Sequence, residues 1–300
     1  MMRQLFLMFI VGLCLYLASC GGDKKGPTDT LSSGTITISA DETFKPIIEE
    51  ELKVFDSSYP DANITVQYKS EAECFRDFLN DTTRLILVTR DLLPEERKLL
   101  EQKKVVPTSL DLAKDAVAVI LNNSATDSVF SVPELRGILT GVFRKKYTVV
   151  FDNQGSSTVR FTIDSILNGG KLGANVYAAK GNDSVIAYVA RNPDAIGFVG
   201  VSYVADNSDP AGLAFKPEVR VVDVFNDSLK NAYGPYQRWI APDYYPLTRT
   251  IFYIHKETYP GLGTGFANFM ARERGQLIFK QARLFPLRMN IIFREAAVNP

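Results

Sequence analysis

From residue 35 onward the chain alternates short β-branched or apolar segments with segments of helical periodicity. That alternation confines it to layered α/β architectures, in which helices pack on a largely parallel sheet. Residues 35–39, TITIS, predict a strand, and Phe44, Ile47, Ile48, Leu52 and Phe55 then recur at helical spacing. Residues 64–68 and 84–88 predict further strands around a short helix at 72–79, the third strand running into Thr89-Arg90-Asp91. Pro94 opens a helix where proline is tolerated, and the apolar run 116–121, AVAVIL, suits a buried strand. Ser131 and Glu134 have capping-box spacing and start a helix through Leu139. Strands at 147–151, 196–199, 219–224 and 251–254, helices at 159–167 and 183–191, and a helical stretch over 266–281 complete the pattern.

Ahead of this alternation, Arg3 precedes an apolar run over 5–17, the charge-then-hydrophobic order of an export signal. The run is shorter than the about 20 residues a membrane-spanning helix needs. Leu17-Ala18-Ser19-Cys20 resembles the lipobox of bacterial lipoproteins, in which the cysteine is acylated and becomes the first mature residue. The expectations are a signal peptide over 1–19, lipidation at Cys20, and a small, polar, flexible tether over 20–33. Such a chain works outside the cytoplasm, lipid-anchored to a bacterial membrane, on its periplasmic face.

The remaining length favours two lobes. Lys plus Arg equals Asp plus Glu at 34 each, so no global field recruits nucleic acid. Of three cysteines, Cys14 lies in the signal and Cys20 is the lipid site, which leaves Cys74 without a disulfide partner. The single histidine, His255, sits on a strand-like run, TIFYIHK, and reads as structural. Zinc sites and Ser-His or Cys-His dyads therefore have almost no material, and no cofactor is expected.

Two places put small hydroxyl residues between a strand and a helix start: Asp41-Glu42-Thr43-Phe44 and Gly155-Ser156-Ser157-Thr158. First-turn amides lack partners and carry partial positive charge, so either place could hold an anion. Taken locally, Thr43 and Thr158 read first as helix caps, a common use of such residues. Gly-Ser-Ser-Thr lacks the Gly-x-Ser-x-Gly spacing of a nucleophile elbow.

Several segments occur in a familiar order: SADETFKP, KDAVAVILNN, VVFDNQGSSTVRFTIDSIL, GNDSVIAYVARNPDAIGFVGVSYV, YPLTRTIFYI and FANFMARERGQLIF. In this order they resemble the phosphate-binding lipoproteins of bacterial phosphate ABC importers, members of the periplasmic solute-binding superfamily. The resemblance implies a two-lobed periplasmic-binding-protein fold of type II-like topology, with crossing strands near 114–123 and 246–254. Lobe 1 then comprises 34–115 plus 250–300, and lobe 2 comprises 116–249. It also implies that inorganic phosphate, or a similar oxyanion, lies between the lobes and is passed to the permease subunits of an importer.

Carried over position by position, the resemblance implies ligand roles for Thr43, Phe44, Ser70, Ser156, Ser157 and Thr158, with Ser157 replacing a usual glycine. Arg90 falls where the family has an aspartate that accepts the proton of hydrogen phosphate, and Asp152 falls where it has an arginine. The expectation is a reversed ion pair of Arg90 with Asp152 across the cleft, Arg90 also donating to the anion. An acceptor displaced in this way alters the discrimination between phosphate and sulfate.

A second reading keeps the fold but not the transport: a lipoprotein with an altered cleft that binds another oxyanion, or an interaction or sensory protein. The aromatic stretch Tyr233 to Tyr245, YGPYQRWIAPDYY, motivates it, as a partner surface or as lobe packing. An enzyme acting on phosphate esters lacks both a metal cluster and an activated nucleophile, so the chain is read as a non-enzyme.

Overall fold

The computed structural model describes residues 28–206, 208–209 and 214–290. The signal peptide and the lipidation at Cys20 lie outside these residues. The tether expected to run to residue 33 gives way earlier than that. Asp29 is buried, and its carboxylate accepts from both Arg84 Nη atoms, from the Tyr259 hydroxyl at 2.6 Å and from the Leu262 amide at 2.6 Å.

The first half of the chain runs β1 (Gly34–Asp41), a 3-10 turn (Glu42–Phe44), α1 (Lys45–Ser58), β2 (Ala62–Lys69), α2 (Glu71–Leu79), β3 (Leu85–Val88), α3 (Pro94–Gln102) and β4 (Thr108–Leu121). It continues with β5 (Val129–Ser131), α4 (Val132–Thr140), β6 (Thr148–Phe151), α5 (Ser157–Ser165), β7 (Val176–Ala178), α6 (Asn182–Arg191), β8 (Ala195–Gly200) and α7 (Val201–Val204). The last third holds β9 (Arg220–Val221), β10 (Asp223–Asn226), β11 (Asn231–Tyr233), α8 (Gln237–Ile240), β12 (Thr248–His255), α9 (Leu262–Ala271), α10 (Glu273–Gln281) and β13 (Phe285–Pro286).

The main sheet has the order β2-β1-β3-β12-β4-β8-β6-β7, with β9 and β13 added along β4. The β1/β2, β1/β3, β6/β7 and β6/β8 pairs are parallel, as strand-helix-strand connections require. Strand β4 is antiparallel to β12 from Thr108 to Ala116 and then, from Val117, pairs with β8. One long strand thus belongs to both halves of the molecule. At the changeover the Tyr245 hydroxyl donates to the Val117 carbonyl at 2.8 Å, and the Val117 amide donates to the Leu247 carbonyl. The α/β class matches the expectation from the alternating pattern, and the two-lobed arrangement matches that from chain length and the family resemblance.

Two expected elements are broken. The strand predicted over 219–224 splits at Val222, because β9 pairs with the end of β4 whereas β10 pairs with β5 and β11. The helix predicted over 266–281 divides at Arg272, where Gly275 lies against the end of α9 so closely that a Cβ there would stand 2.5 Å from Met270 Cα. In the aromatic stretch Tyr245 is fully buried, and Tyr233, Trp239 and Tyr244 form a ring cluster with centroids 5.1 to 6.0 Å apart. His255 lies on β12 beside the Tyr253 ring, and burial lowers its pKa.

Candidate functional site

Asp41 ends β1, and its Oδ1 accepts from the Thr43 amide at 2.9 Å, so Asp41 caps the turn that precedes α1. Ser156 caps α5 in the same way, accepting from the Val159 amide at 3.2 Å. Each cap sits two residues before a threonine. Thr43 and Thr158 are consequently released from the capping role that either could have filled, and both are fully buried.

The two turns come together. The Thr43 and Ser157 hydroxyls approach to 3.4 Å although 114 residues separate them, and Arg249 Nη1 donates to Ser157 Oγ at 2.9 Å. Gly200, at the end of β8, permits this seating: a Cβ there would meet Thr43 Cγ2 at 2.7 Å. Around the hollow the Thr158 hydroxyl, Asn182 Oδ1 and Arg249 Nη2 are buried without a hydrogen-bond partner among the described residues. Buried polar groups are nearly always satisfied, so these three atoms, with Asp41 Oδ2, Asp115 Oδ1 and Asp152 Oδ1 likewise unpartnered beside them, mark a place built for a polar guest.

Arg249 is the cation of this hollow. Its Nε donates to Asp115 Oδ2 at 2.7 Å, and its guanidinium lies 5.5 Å from the centre of the buried Phe44 ring. Burial raises the Asp115 pKa against the opposing pull of Arg249. Burial, reinforced by the neighbouring Glu71 charge, pushes Asp41 up to about 6, with Arg249 and the Thr43 amide opposing. Asp152 is also pushed up to about 6 by burial, against the Ser156 hydroxyl and the Asn153 amide. Near pH 6 these two carboxyls can present either a donor or an acceptor to a guest.

The outer part of the cleft is held by Glu71, at the start of α2. Its Oε1 accepts from the Thr89 amide at 2.7 Å and the Thr89 hydroxyl at 2.8 Å, while its Oε2 accepts from Arg160 Nε on α5. Arg160 Nη2 also donates to Thr89 Oγ1 at 2.7 Å. Nearby, Asn153 donates to Glu42 and the Tyr203 hydroxyl donates to the Glu42 carbonyl, so both halves of the sheet meet across the cleft. A cavity of about 280 Å³ at this mouth is lined by Glu71, Phe75, Arg90, Gly155, Ser156 and Arg160, among others.

The sequence-derived candidates divide. Thr43, Phe44, Asp152, Ser156, Ser157 and Thr158 gather at the hollow. Ser70 stands at its edge, its hydroxyl donating to Glu73 at 2.7 Å and packed near Gly155. The expected Arg90–Asp152 pair is not formed. Arg90 forks onto both oxygens of Glu96 at 2.8 Å and lies 3.5 Å from the centre of the Phe75 ring, while Asp152 Oδ2 accepts from Asn182 at 3.4 Å. A local glutamate six residues away satisfies the guanidinium before it can reach across. Sequence reasoning missed Arg249, Asp41, Glu71 and Asn182 as members of the site. For Arg249 a signal existed, since it stands in YPLTRTIFYI, one of the segments that carry the resemblance.

A sheet whose halves share crossing strands, with hydroxyl-bearing helix starts meeting between them, defines a cleft-type binding protein. The chain belongs to the PBP superfamily, whose domain model matches residues 25–274. It is 22% identical over 282 residues to the phosphate-binding protein PstS of Staphylococcus aureus, covering 89% of this chain and 83% of that one. Among solved structures it resembles a candidate phosphate ABC transporter substrate-binding protein with bound phosphate from Clostridium perfringens: TM-score 0.71, 20% identity, 85% of this chain and 100% of that one. An ABC-type phosphate transport receptor from Vibrio cholerae gives a TM-score of 0.65 at 16% identity, covering 84% and 100% of the two chains.

Proposed function

We propose that this chain is an extracytoplasmic, lipid-anchored solute-binding protein that captures inorganic phosphate between its lobes and delivers it to the permease subunits of an ABC importer. Its lobes are 34–115 with 250–300, and 116–249. It binds its cargo and does not transform it. The names of the staphylococcal and clostridial relatives support the cargo class. Cys20 is the lipid attachment point.

The observation that carries this reading is the meeting of the Thr43 and Ser157 hydroxyls under Arg249. Hydroxyls and first-turn amides from opposing walls hold an oxyanion by dipoles, which act strongly once water is excluded. Thr43, the Phe44 amide, Ser157 and Thr158 supply donors, with Ser70 and Ser156 at the rim. Arg249 takes the role of charged donor that sequence reasoning assigned to Arg90. Asp152 and Asp41 serve as acceptors for a proton on the guest, which favours a protonated phosphate.

Isothermal calorimetry on protein stripped of endogenous ligand tests the proposal: saturable phosphate binding supports it. Absence of heat with phosphate while another small oxyanion binds would favour the altered-cleft reading, which Ser157 in place of a glycine and the displaced Arg90 both motivate.

A further inference from the structure

Glu71 is 2% exposed, and its carboxylate is held by a backbone amide, a hydroxyl and a guanidinium, the three donor types from which oxyanion sites are made. The donors come from both sides of the cleft: Thr89 follows β3, and Arg160 lies on α5. An anion is therefore already seated between the lobes, and it belongs to the chain.

This seat uses charge that a guest would otherwise receive. Arg160 is committed to Glu71 and Asp164, Arg249 to Asp115, and Arg90 to Glu96. Every guanidinium bordering the hollow or the mouth cavity thus has a carboxylate of its own. A guest's charge is then met by dipoles and by a single guanidinium edge, Arg249 Nη2, which has no partner among the described residues. The solvation lost on entry grows as the square of charge, so a dianion gives up about four times as much as a monoanion.

We infer that Glu71 is a specificity-determining residue, a resident anion that withholds Arg160 and Thr89 from the cargo and restricts the cleft to oxyanions of low charge. The inference rests on the phosphate reading and names which form of cargo the site selects. Sulfate is the suitable probe, because it matches phosphate in size and shape but remains a dianion at neutral pH. Glu71→Gln keeps the shape of the side chain while releasing the charge of Arg160.

The test is calorimetry with phosphate and with sulfate at about pH 6, where phosphate is mainly a monoanion and sulfate a dianion, on the wild type, on Glu71→Gln and on the double variant Glu71→Gln/Arg160→Gln. Thermal unfolding accompanies each titration. The expected result is a rise of about tenfold or more in sulfate affinity relative to phosphate in Glu71→Gln, a step of one decade in Kd. The double variant should lose that gain, its sulfate-to-phosphate affinity ratio returning to about that of wild type. An unchanged sulfate-to-phosphate ratio in Glu71→Gln overturns the inference but leaves phosphate binding standing, as does an equal loss of both anions. No heat from either anion in any variant overturns the phosphate reading and the inference together. Should Glu71→Gln unfold, the double variant, with both charges removed, decides: a sulfate-to-phosphate affinity ratio more than about tenfold from that of wild type means that Glu71 does not act through Arg160, and overturns the inference.

Discussion

Asp115 and Arg249 stand directly opposite one another in the β4/β12 register and join through an Nε to Oδ2 contact of 2.7 Å, both side chains about 1% exposed. The pair lies two residues before Val117, where β4 exchanges β12 for β8. The same arginine continues to Ser157, so the crossing strands and the start of α5 are mechanically one unit.

Breaking that pair on one side leaves a buried charge without its partner. Asp115→Asn or Arg249→Gln should each lower the unfolding free energy by about 3–5 kcal/mol, read from denaturant midpoints. The doubly substituted chain should lose less than the sum of the two, since the second substitution removes the charge stranded by the first.

The Thr158 hydroxyl is buried and has no partner among the described residues. Thr158→Val should therefore leave the melting temperature unchanged or slightly raised. In calorimetry the same variant should bind phosphate about tenfold more weakly, the loss expected for a hydrogen bond to a charged group. Undiminished phosphate affinity would remove Thr158 from the site.

Arg90 and Arg249 should part company in binding. Arg90→Ala loses its fork onto Glu96 and its place on Phe75, which lowers stability by about 1 kcal/mol, yet phosphate affinity should stay within about threefold. Arg249→Lys keeps the charge but cannot reach Asp115 and Ser157 together, and phosphate binding should weaken by about tenfold or more. The reverse order of effects would return the charged-donor role to Arg90.

Glu51, on α1, is fully buried with both carboxyl oxygens unpartnered among the described residues, and burial pushes its pKa up to about 9. Between its ordinary value of 4.5 and about 9, the unfolded chain has lost this proton and the folded chain retains it. Stability should therefore fall as pH rises across that window, by up to about 1.4 kcal/mol per unit from this group, and level off above it. Glu51→Leu should raise the melting temperature at pH 8 and flatten the slope, which thermal scans from pH 5 to pH 9 would show.

Much of the fold is legible locally. Ser131 and Glu134 form the reciprocal cap their spacing predicts, and AVAVIL is buried throughout within β4. The same local logic misled at Val222 and Arg272, where the backbone turns to meet partners distant in sequence. At the site, residue types pointed to the Thr43 and Ser156–Thr158 turns, but not to which hydroxyls remain unspent. Asp41 and Ser156 do the capping, and only their geometry frees Thr43 and Thr158.

By itself the sequence determined the α/β alternation, the helix starts with their hydroxyls and the buried character of the central strands. These follow from side-chain periodicity and from hydrogen bonds that close within three or four residues. Tertiary structure alone decided the charge partners: Arg90 with Glu96, Arg249 with Asp115, Arg160 with Glu71. A guanidinium takes whichever carboxylate strand register and burial bring within reach, and that choice among several acidic residues is made by the folded chain.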